Sequence, residues 1–372
     1  MDFNKNKYGI LFLLHLPPPV HGSSVVGGFI KESKLINETF NCTFLNVLAS
    51  TSVSKTGKVS LNKIFGLIIT IYKLVKNLIQ NRPRLCYLAL TTTGAAFFKD
   101  ALFVMVIKLF SVKRIYHLHN KGVALHKHKY IYKVIYKFVF RDADVILLSN
   151  LLYSDISNFV ALDRIHLCPN GIPSHLEKKK IIKENNTVCN ILFLSNLIES
   201  KGVYTLLKAC EILKNDQQNF ICRLIGSEGD ISKEKLNSSI AAMKLSNFVV
   251  YEGVKYGIDK HNTFSNADIF VFPTYYQNEC FPLVLLEAMN YSLPIISTTE
   301  GGISDIVIDG ENGFLTKPKD EKRIAEKFQL LIKNEVLRTT MGAAGKKKYL
   351  EEFTLEIFEQ RLSFILHKCI LK

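Results

Sequence analysis

DIFVFPTYYQNECFPLVLLEAMNYSLPIIST, Asp268–Thr298, holds one full period of the chain's pattern. Its apolar run Asp268–Pro273 is short and ends at a proline, so it reads as a buried strand. Pro282 opens a helical stretch to Tyr291, because a missing N–H costs nothing at a helix start. Pro294–Thr298 is the next strand. Strands joined through a helix lie parallel, and a parallel sheet needs cover on both faces.

The same cadence runs outward in both directions. Upstream in the second half, strands are expected at Cys189–Ser195, Phe220–Gly226 and Phe248–Gly253, and downstream at Gly313–Thr316. Helices are expected at Gly202–Leu213, Lys233–Leu245 and Glu321–Lys333. The first half repeats the pattern with strands at Tyr8–Leu14, Cys42–Val47, Arg84–Leu90, Arg114–His119, Asp144–Ser149 and Arg164–Cys168. Its helices are expected at Ser24–Asn37, Leu61–Gln80, Ala95–Phe110, Leu125–Phe140 and Leu151–Leu162. PNGIP (Pro169–Pro173) and the polar run Ser174–Thr187 read as the linker between two α/β domains. The expected division is 1–173, 187–350, and a C-terminal helix in 351–372 packing back on the first domain. Each domain is doubly wound and Rossmann-like, and such sheets bind ligands beyond the C-terminal ends of their strands.

Composition limits the function classes. A chain of 372 residues, 48% hydrophobic and 22% charged, folds, and is long enough for two cores. Its eight cysteines are scattered without a C-x-x-C pair, which fits buried thiols better than zinc or disulfides. The apolar runs are too short or too interrupted for a membrane span. YGILFLLHLPPP is expected to be a first buried strand rather than a signal peptide, since His15 interrupts it. Residues 1–173 hold 22 Lys+Arg against 8 Asp+Glu, whereas 174–372 hold 26 against 25. The first half therefore faces something anionic. No RNA- or DNA-binding motif is present, so nucleic acid is not expected.

NECFPLVLLEAM, Asn278–Met289, carries the chemistry. Glu279 lies in the loop before the helix, and the first-turn N–H groups around Leu283 and Val284 suit a phosphate. Glu287, five residues past Pro282, sits about 7.5 Å along the axis. That spacing suits a ligand carrying a sugar, a pyrophosphate and a ribose in sequence. Two solvent-facing glutamates beside an amphipathic helix are the plain alternative.

The surroundings narrow this. The segment resembles the retaining family-4 glycosyltransferases (glycosyl transferases group 1) of GT-B fold, whose E-x7-E motif matches Glu279 and Glu287. The likeness extends through Pro273–Leu315, SNLIESKG (Ser195–Gly202), LIGSEGD (Leu224–Asp230) and PNGIP. It implies two domains facing across a cleft, with Glu279 at the transferred sugar and Glu287 at the ribose hydroxyls. Cys280, Phe281, Leu283 and Val284 are expected to complete the donor site that the resemblance implies. Lys201 and Asn196 stand at the implied diphosphate positions, where arginine is usual at the second, and an amide lacks its bidentate charge. Pro282 and Ser292 stand where glycine is commoner. The loops Leu224–Gly229 and Gly253–Gly257 are expected at the base, without telling uracil from guanine.

PPPVHGSS (Pro17–Ser24) resembles the family's Gly-rich loop at Gly22 and Ser23, with a plain strand–helix turn as the alternative. RIYHLHN (Arg114–Asn120) puts His117 and His119 on one side of a strand end. The resemblance places a histidine at the cleft, matched here to His119, with His117 second, for positioning and charge stabilisation. Catalytic roles thus fall on His119, Glu279 and Lys201. No D-x-D pair follows a strand, so neither a metal nor another cofactor is expected. The implied activity is retaining transfer of a hexose or N-acetylhexosamine from a nucleotide-diphosphate sugar, UDP favoured over GDP. The acceptor would be a polysaccharide, lipopolysaccharide or lipid-linked saccharide. Ser60–Ile79 and Leu125–Arg141 interleave lysines with aromatic and aliphatic residues, which fits core packing or an anionic membrane surface. A cytoplasmic enzyme, peripheral on the inner face of the cell membrane, is the expectation. A nucleotide-sugar epimerase of the same fold and a non-catalytic membrane or partner scaffold are the alternatives.

Overall fold

The computed structural model describes residues 7–47, 61–174 and 188–372, so the Ser174–Thr187 linker lies outside the described residues save Ser174. The chain divides into two compact units, Met1–Gly171 with Leu355–Lys372, and Ile172–Thr354. The second unit takes up the chain at Ile172, whose N–H bonds Phe353 O at 3.1 Å and whose carbonyl accepts from Tyr349 Oη at 2.9 Å.

The first unit is built on six parallel strands, β1 (Gly9–Leu14), β2 (Asn41–Asn46), β3 (Leu85–Leu90), β4 (Lys113–Leu118), β5 (Asp144–Leu147) and β6 (Ile165–Leu167). They lie in the order β2-β1-β3-β4-β5-β6. β1 and β3 are buried almost throughout, which is why they read as unbroken apolar runs. The connections from β2 onward all step the same way across the sheet. Right-handed crossovers therefore put the helices Leu61–Asn81, Gly94–Leu109 and Tyr130–Phe140 on one face, where neighbours touch. The last helix, Leu355–Leu371, packs in this unit against the helix Lys34–Thr39.

The second unit repeats the plan with β7 (Cys189–Leu194), β8 (Phe220–Ile225), β9 (Val249–Tyr251), β10 (Ile269–Phe272), β11 (Ile295–Thr298) and β12 (Gly313–Thr316). Their order is β12-β11-β10-β7-β8-β9, all parallel.

All twelve strands fall where apolar runs placed them. Three helices do not. The Ser24–Asn37 stretch is two helices, Gly22–Glu32 and Lys34–Thr39, because Ser33 caps the second through Ile36 N–H. Leu125–Phe140 breaks between Val123–His126 and Tyr130–Phe140, and Leu151–Leu162 shortens to a turn at Asn150–Leu152 with Tyr153–Ile156. The helices Gly257–Asn266 and Glu335–Glu352 were not anticipated. All eight cysteines are free thiols, seven of them buried.

Candidate functional site

In the second unit the residues singled out beyond the strand ends come together. Glu279 sits in the loop between β10 and the helix Leu283–Asn290, and its side chain meets Lys201, Nζ to Oε2 at 2.5 Å. Both side chains are mostly buried, so Glu279 is not a solvent-facing glutamate. Lys201 also lies over the rings of Tyr276, at 4.6 Å, and Phe272, at 5.4 Å. Two glycines set this meeting. Gly202 has φ of 92°, and a Cβ there would stand 2.2 Å from Pro273 O, so the Lys201 turn can lie directly on the end of β10. Gly301 has φ of 58°, and a Cβ there would stand 2.4 Å from Glu279 O. Gly302 N–H then donates to Cys280 O at 2.6 Å and fixes the loop from behind.

Pro282 caps the following helix in extended conformation, which leaves the first-turn N–H groups of Leu283 and Val284 without intrahelical carbonyls. Cys280 and Phe281 are buried beneath them, while Leu283 and Val284 are half-buried. Glu287 is held by Lys260 of the Gly257–Asn266 helix, Nζ to Oε1 at 2.6 Å. Lys260 escaped sequence reading because its segment is polar and carries no motif; only its place after Gly257 hinted at a helix start. Asn196 Oδ1 accepts from Ser227 Oγ at 2.8 Å, so this amide is already tied to the loop after β8.

In the first unit, the strand ends gather histidines. His119 follows β4 and its ring lies 4.1 Å from that of His117, centroid to centroid, as two residues on one side of a strand should. His117 is fully buried; one nitrogen, Nδ1, pairs with Tyr87 Oη at 2.5 Å, and Nε2 has no hydrogen-bond partner among the described residues. His15, at the end of β1, and His21, the cap of the Gly22–Glu32 helix, stand near His119. Burial pushes His119 and His15 down to about 3, with neighbouring histidines adding to it for His119, and Lys99 and His21 for His15. Burial lowers His117 further and His21 as well. His119 is therefore neutral near pH 7, so stabilisation by a histidine cation falls away and hydrogen bonding remains.

Gly22 and Ser23 open the helix as expected, but the close approach is made elsewhere. Ser23 Oγ pairs with His15 Nδ1 at 2.8 Å, and a Cβ at Gly22 would meet nothing within 4 Å. Gly27 is the glycine that the packing demands, since its Cβ would stand 2.0 Å from His15 O. His15 could have been found from its place ending the run LFLLH, and Gly27 from standing one helical turn past Ser23.

Among the described residues one grouping could hold a metal ion: Asp144, His166 and Cys369 of the first unit, whose donor atoms lie within 4.8 Å of one another. Asp144 opens β5, so the grouping lies at the opposite strand ends from His119. Its carboxylate already holds His166 Nε2 at 2.8 Å and Lys372 Nζ at 2.9 Å.

Two doubly wound units of this kind define a fold class. The structure matches a glycosyltransferase from Rickettsia africae ESF-5 with a TM-score of 0.76, over 99% of this chain and 100% of that one, at 19% identity. It matches Anabaena HepE, solved with UDP, with a TM-score of 0.75 over 98% and 100%, at 18% identity. The fold is GT-B. Residues 175–348 match the family described as Glycosyl transferases group 1. In sequence the chain is 28% identical over 237 residues to the capsular polysaccharide biosynthesis glycosyltransferase CapM of Staphylococcus aureus, covering 60% of this chain and 61% of CapM.

Proposed function

We propose that the protein is a glycosyltransferase that moves a hexose or N-acetylhexosamine from a nucleotide-diphosphate sugar to a saccharide acceptor, with retention. The carrying observation is that one loop and one helix, inside the group 1 domain, hold Glu279 against Lys201 and Glu287 against Lys260. In this reading Glu279 meets the transferred sugar and Glu287 the ribose. Lys201, with the N–H groups of Leu283 and Val284, takes the diphosphate, and Asn196 and Ser227 shape its edge. UDP is the favoured base carrier, supported by the UDP bound in the similar Anabaena protein. His119 hydrogen-bonds the transferred sugar or acceptor as a neutral ring, seated beside His117, Gly22 and Ser23.

Transfer breaks the bond from the anomeric carbon to the β-phosphate oxygen, which leaves with the electron pair as the acceptor oxygen bonds that carbon. The acceptor proton passes to the departing phosphate. Neutralising this leaving group is the main electrostatic task. Lys201 and a helix start offer positive charge without a divalent ion, so catalysis is metal-independent. Glu279 is paired to a lysine, which suits orientation of sugar hydroxyls better than attack on carbon. Acceptors of the polysaccharide, lipopolysaccharide or lipid-linked class fit the basic, apolar helix face of the first unit, and imply work on the inner face of the cell membrane. The scaffold reading is less favoured, since Glu279, Glu287 and Lys201 are all in place, and acceptor-dependent transfer would exclude the epimerase.

Titration with UDP and GDP, followed by transfer assays, tests this. Glu287→Ala should weaken free nucleotide roughly tenfold or more, while Glu279→Ala spares it and abolishes transfer. Activity should survive EDTA. Equal weakening of free nucleotide by both variants would remove the assignment, and activity lost in EDTA and restored by manganese would remove metal independence.

A further inference from the structure

Lys260 is a second lysine at the carboxylate pair, and it stands on a helix that no donor motif includes. Its ammonium donates to Glu287 Oε1 at 2.6 Å, with 29% and 24% of the two side chains exposed. The contact is held on both sides. His261, the next residue, pairs through Nδ1 with Tyr291 Oη at 2.5 Å, one residue past the helix that carries Glu287. Tyr291 stacks on Phe264 at 5.3 Å, and buried Phe264 stacks on Phe270 of β10 at 5.8 Å. The Lys260 helix is thus fastened to the Glu287 helix and to the central strand. A loose surface ion pair contributes little to stability. A pair anchored in this way fixes the direction of a carboxylate.

Glu287 has three side-chain torsions and two oxygens with about four acceptor directions. With Oε1 held by Lys260, fewer orientations remain in which the other oxygen can accept a hydroxyl. We propose that Lys260 is a positioning residue for the ribose, acting through Glu287: it presets the carboxylate that receives a ribose hydroxyl and touches no phosphate itself. This rests on the reading that Glu287 meets the ribose.

Calorimetry on the full chain with UDP and 2′,3′-dideoxy-UDP, and with the matching GDP pair, tests it. The wild type should bind the ribose form about tenfold more tightly than the dideoxy form. Lys260→Met should lose roughly 3- to 10-fold for the ribose form and nothing for the dideoxy form. Its donor KM should rise with kcat nearly unchanged, and Lys260→Arg should restore most of the loss. Equal weakening of ribose and dideoxy forms would show a phosphate contact or a structural role and overturn the proposal. So would no weakening of either. If the wild type itself does not distinguish the two sugars, Glu287 does not meet the ribose, and the donor-site assignment falls first.

Discussion

Glu279 and Glu287 were legible as residues because their chemistry is bound to spacing: a loop carboxylate, a helix start, and a second carboxylate one turn further in, whereas Lys201 was reached only through the resemblance. Their partners were not. Which lysine reaches Glu287 depends on how two helices pack, and a polar segment such as Gly257–Asn266 gives no period from which to read that. The histidines show the same limit in the first unit. His119 could be picked out from its strand, but its neutrality comes first from burial and then from His15, 104 positions earlier in sequence. That burial has a measurable consequence. His15 and His119 are lowered from the ordinary 6.5 to about 3, so between those values the unfolded chain binds protons that the folded chain does not. Stability is then fully present above about pH 6.5 and lost as pH falls through the window. Between pH 6.5 and 5 each histidine contributes at most about 2 kcal/mol of loss, and most carboxylates have not yet titrated. Thermal unfolding at pH 7.5 and pH 5 should show a marked fall in Tm, and His15→Gln should flatten it. A Tm equally steep in that variant would show that His15 is not a source of the loss.

Elements were read well where packing is apolar and poorly where a single polar residue decides a boundary. β7 to β12 follow from their apolar runs, yet the Lys34–Thr39 helix exists separately because one serine caps it. The Glu335–Glu352 helix packs against a departure noticed in sequence. Ser292, standing where glycine is commoner, has φ of 55°, in the left-handed region just past the Glu287 helix. There Leu293 N–H closes back on Ala288 O at 3.0 Å, the turn by which helices commonly stop. A β-carbon is a burden in that conformation, so Ser292→Gly should stabilise the chain by up to about 1 kcal/mol. The neighbouring change should have the opposite sign. A Cβ at Gly342 would stand 1.9 Å from Ser292 O, a backbone atom that cannot turn aside. Gly342→Ala should therefore push the Glu335–Glu352 helix off the Glu287 helix and cost about 2–4 kcal/mol. Denaturant midpoints for the two variants, measured beside the wild type, check both directions; a raised midpoint for Gly342→Ala would mean that the helices are not in this close contact.

At the scale of the molecule, two sheets and a break near Pro169–Pro173 could be read from alternation alone, and so could the uneven charge. What alternation could not give is the side on which the first unit carries that charge. Three adjacent helices answer it. Leu61–Asn81, Gly94–Leu109 and Tyr130–Phe140 lie on one face of the sheet, and they turn large apolar side chains outward, Tyr72, Leu109 and Tyr130 being at least two-thirds exposed. Phe65, Ile68, Ile131 and Val134 add to that surface, among the exposed lysines Lys73, Lys76, Lys133 and Lys137. Core packing therefore does not account for these side chains, and an anionic bilayer complements both their charge and their apolarity. Among the described residues no helix is long and apolar enough to cross a membrane, and docking of this kind would lie on the surface. Each lysine near such a surface contributes about 1 kcal/mol, screened as the Debye length falls from about 10 Å at 0.1 M salt to about 3 Å at 1 M. The full chain should co-sediment with vesicles containing phosphatidylserine, weakly or not at all with phosphatidylcholine alone, and be released by 1 M salt. Changing Lys73, Lys76, Lys133 and Lys137 to glutamine should reduce binding by more than tenfold while leaving free nucleotide affinity as it was. Equal binding to both kinds of vesicle would remove the electrostatic argument. Binding to neither would leave the apolar face to some other partner and favour an acceptor free in solution.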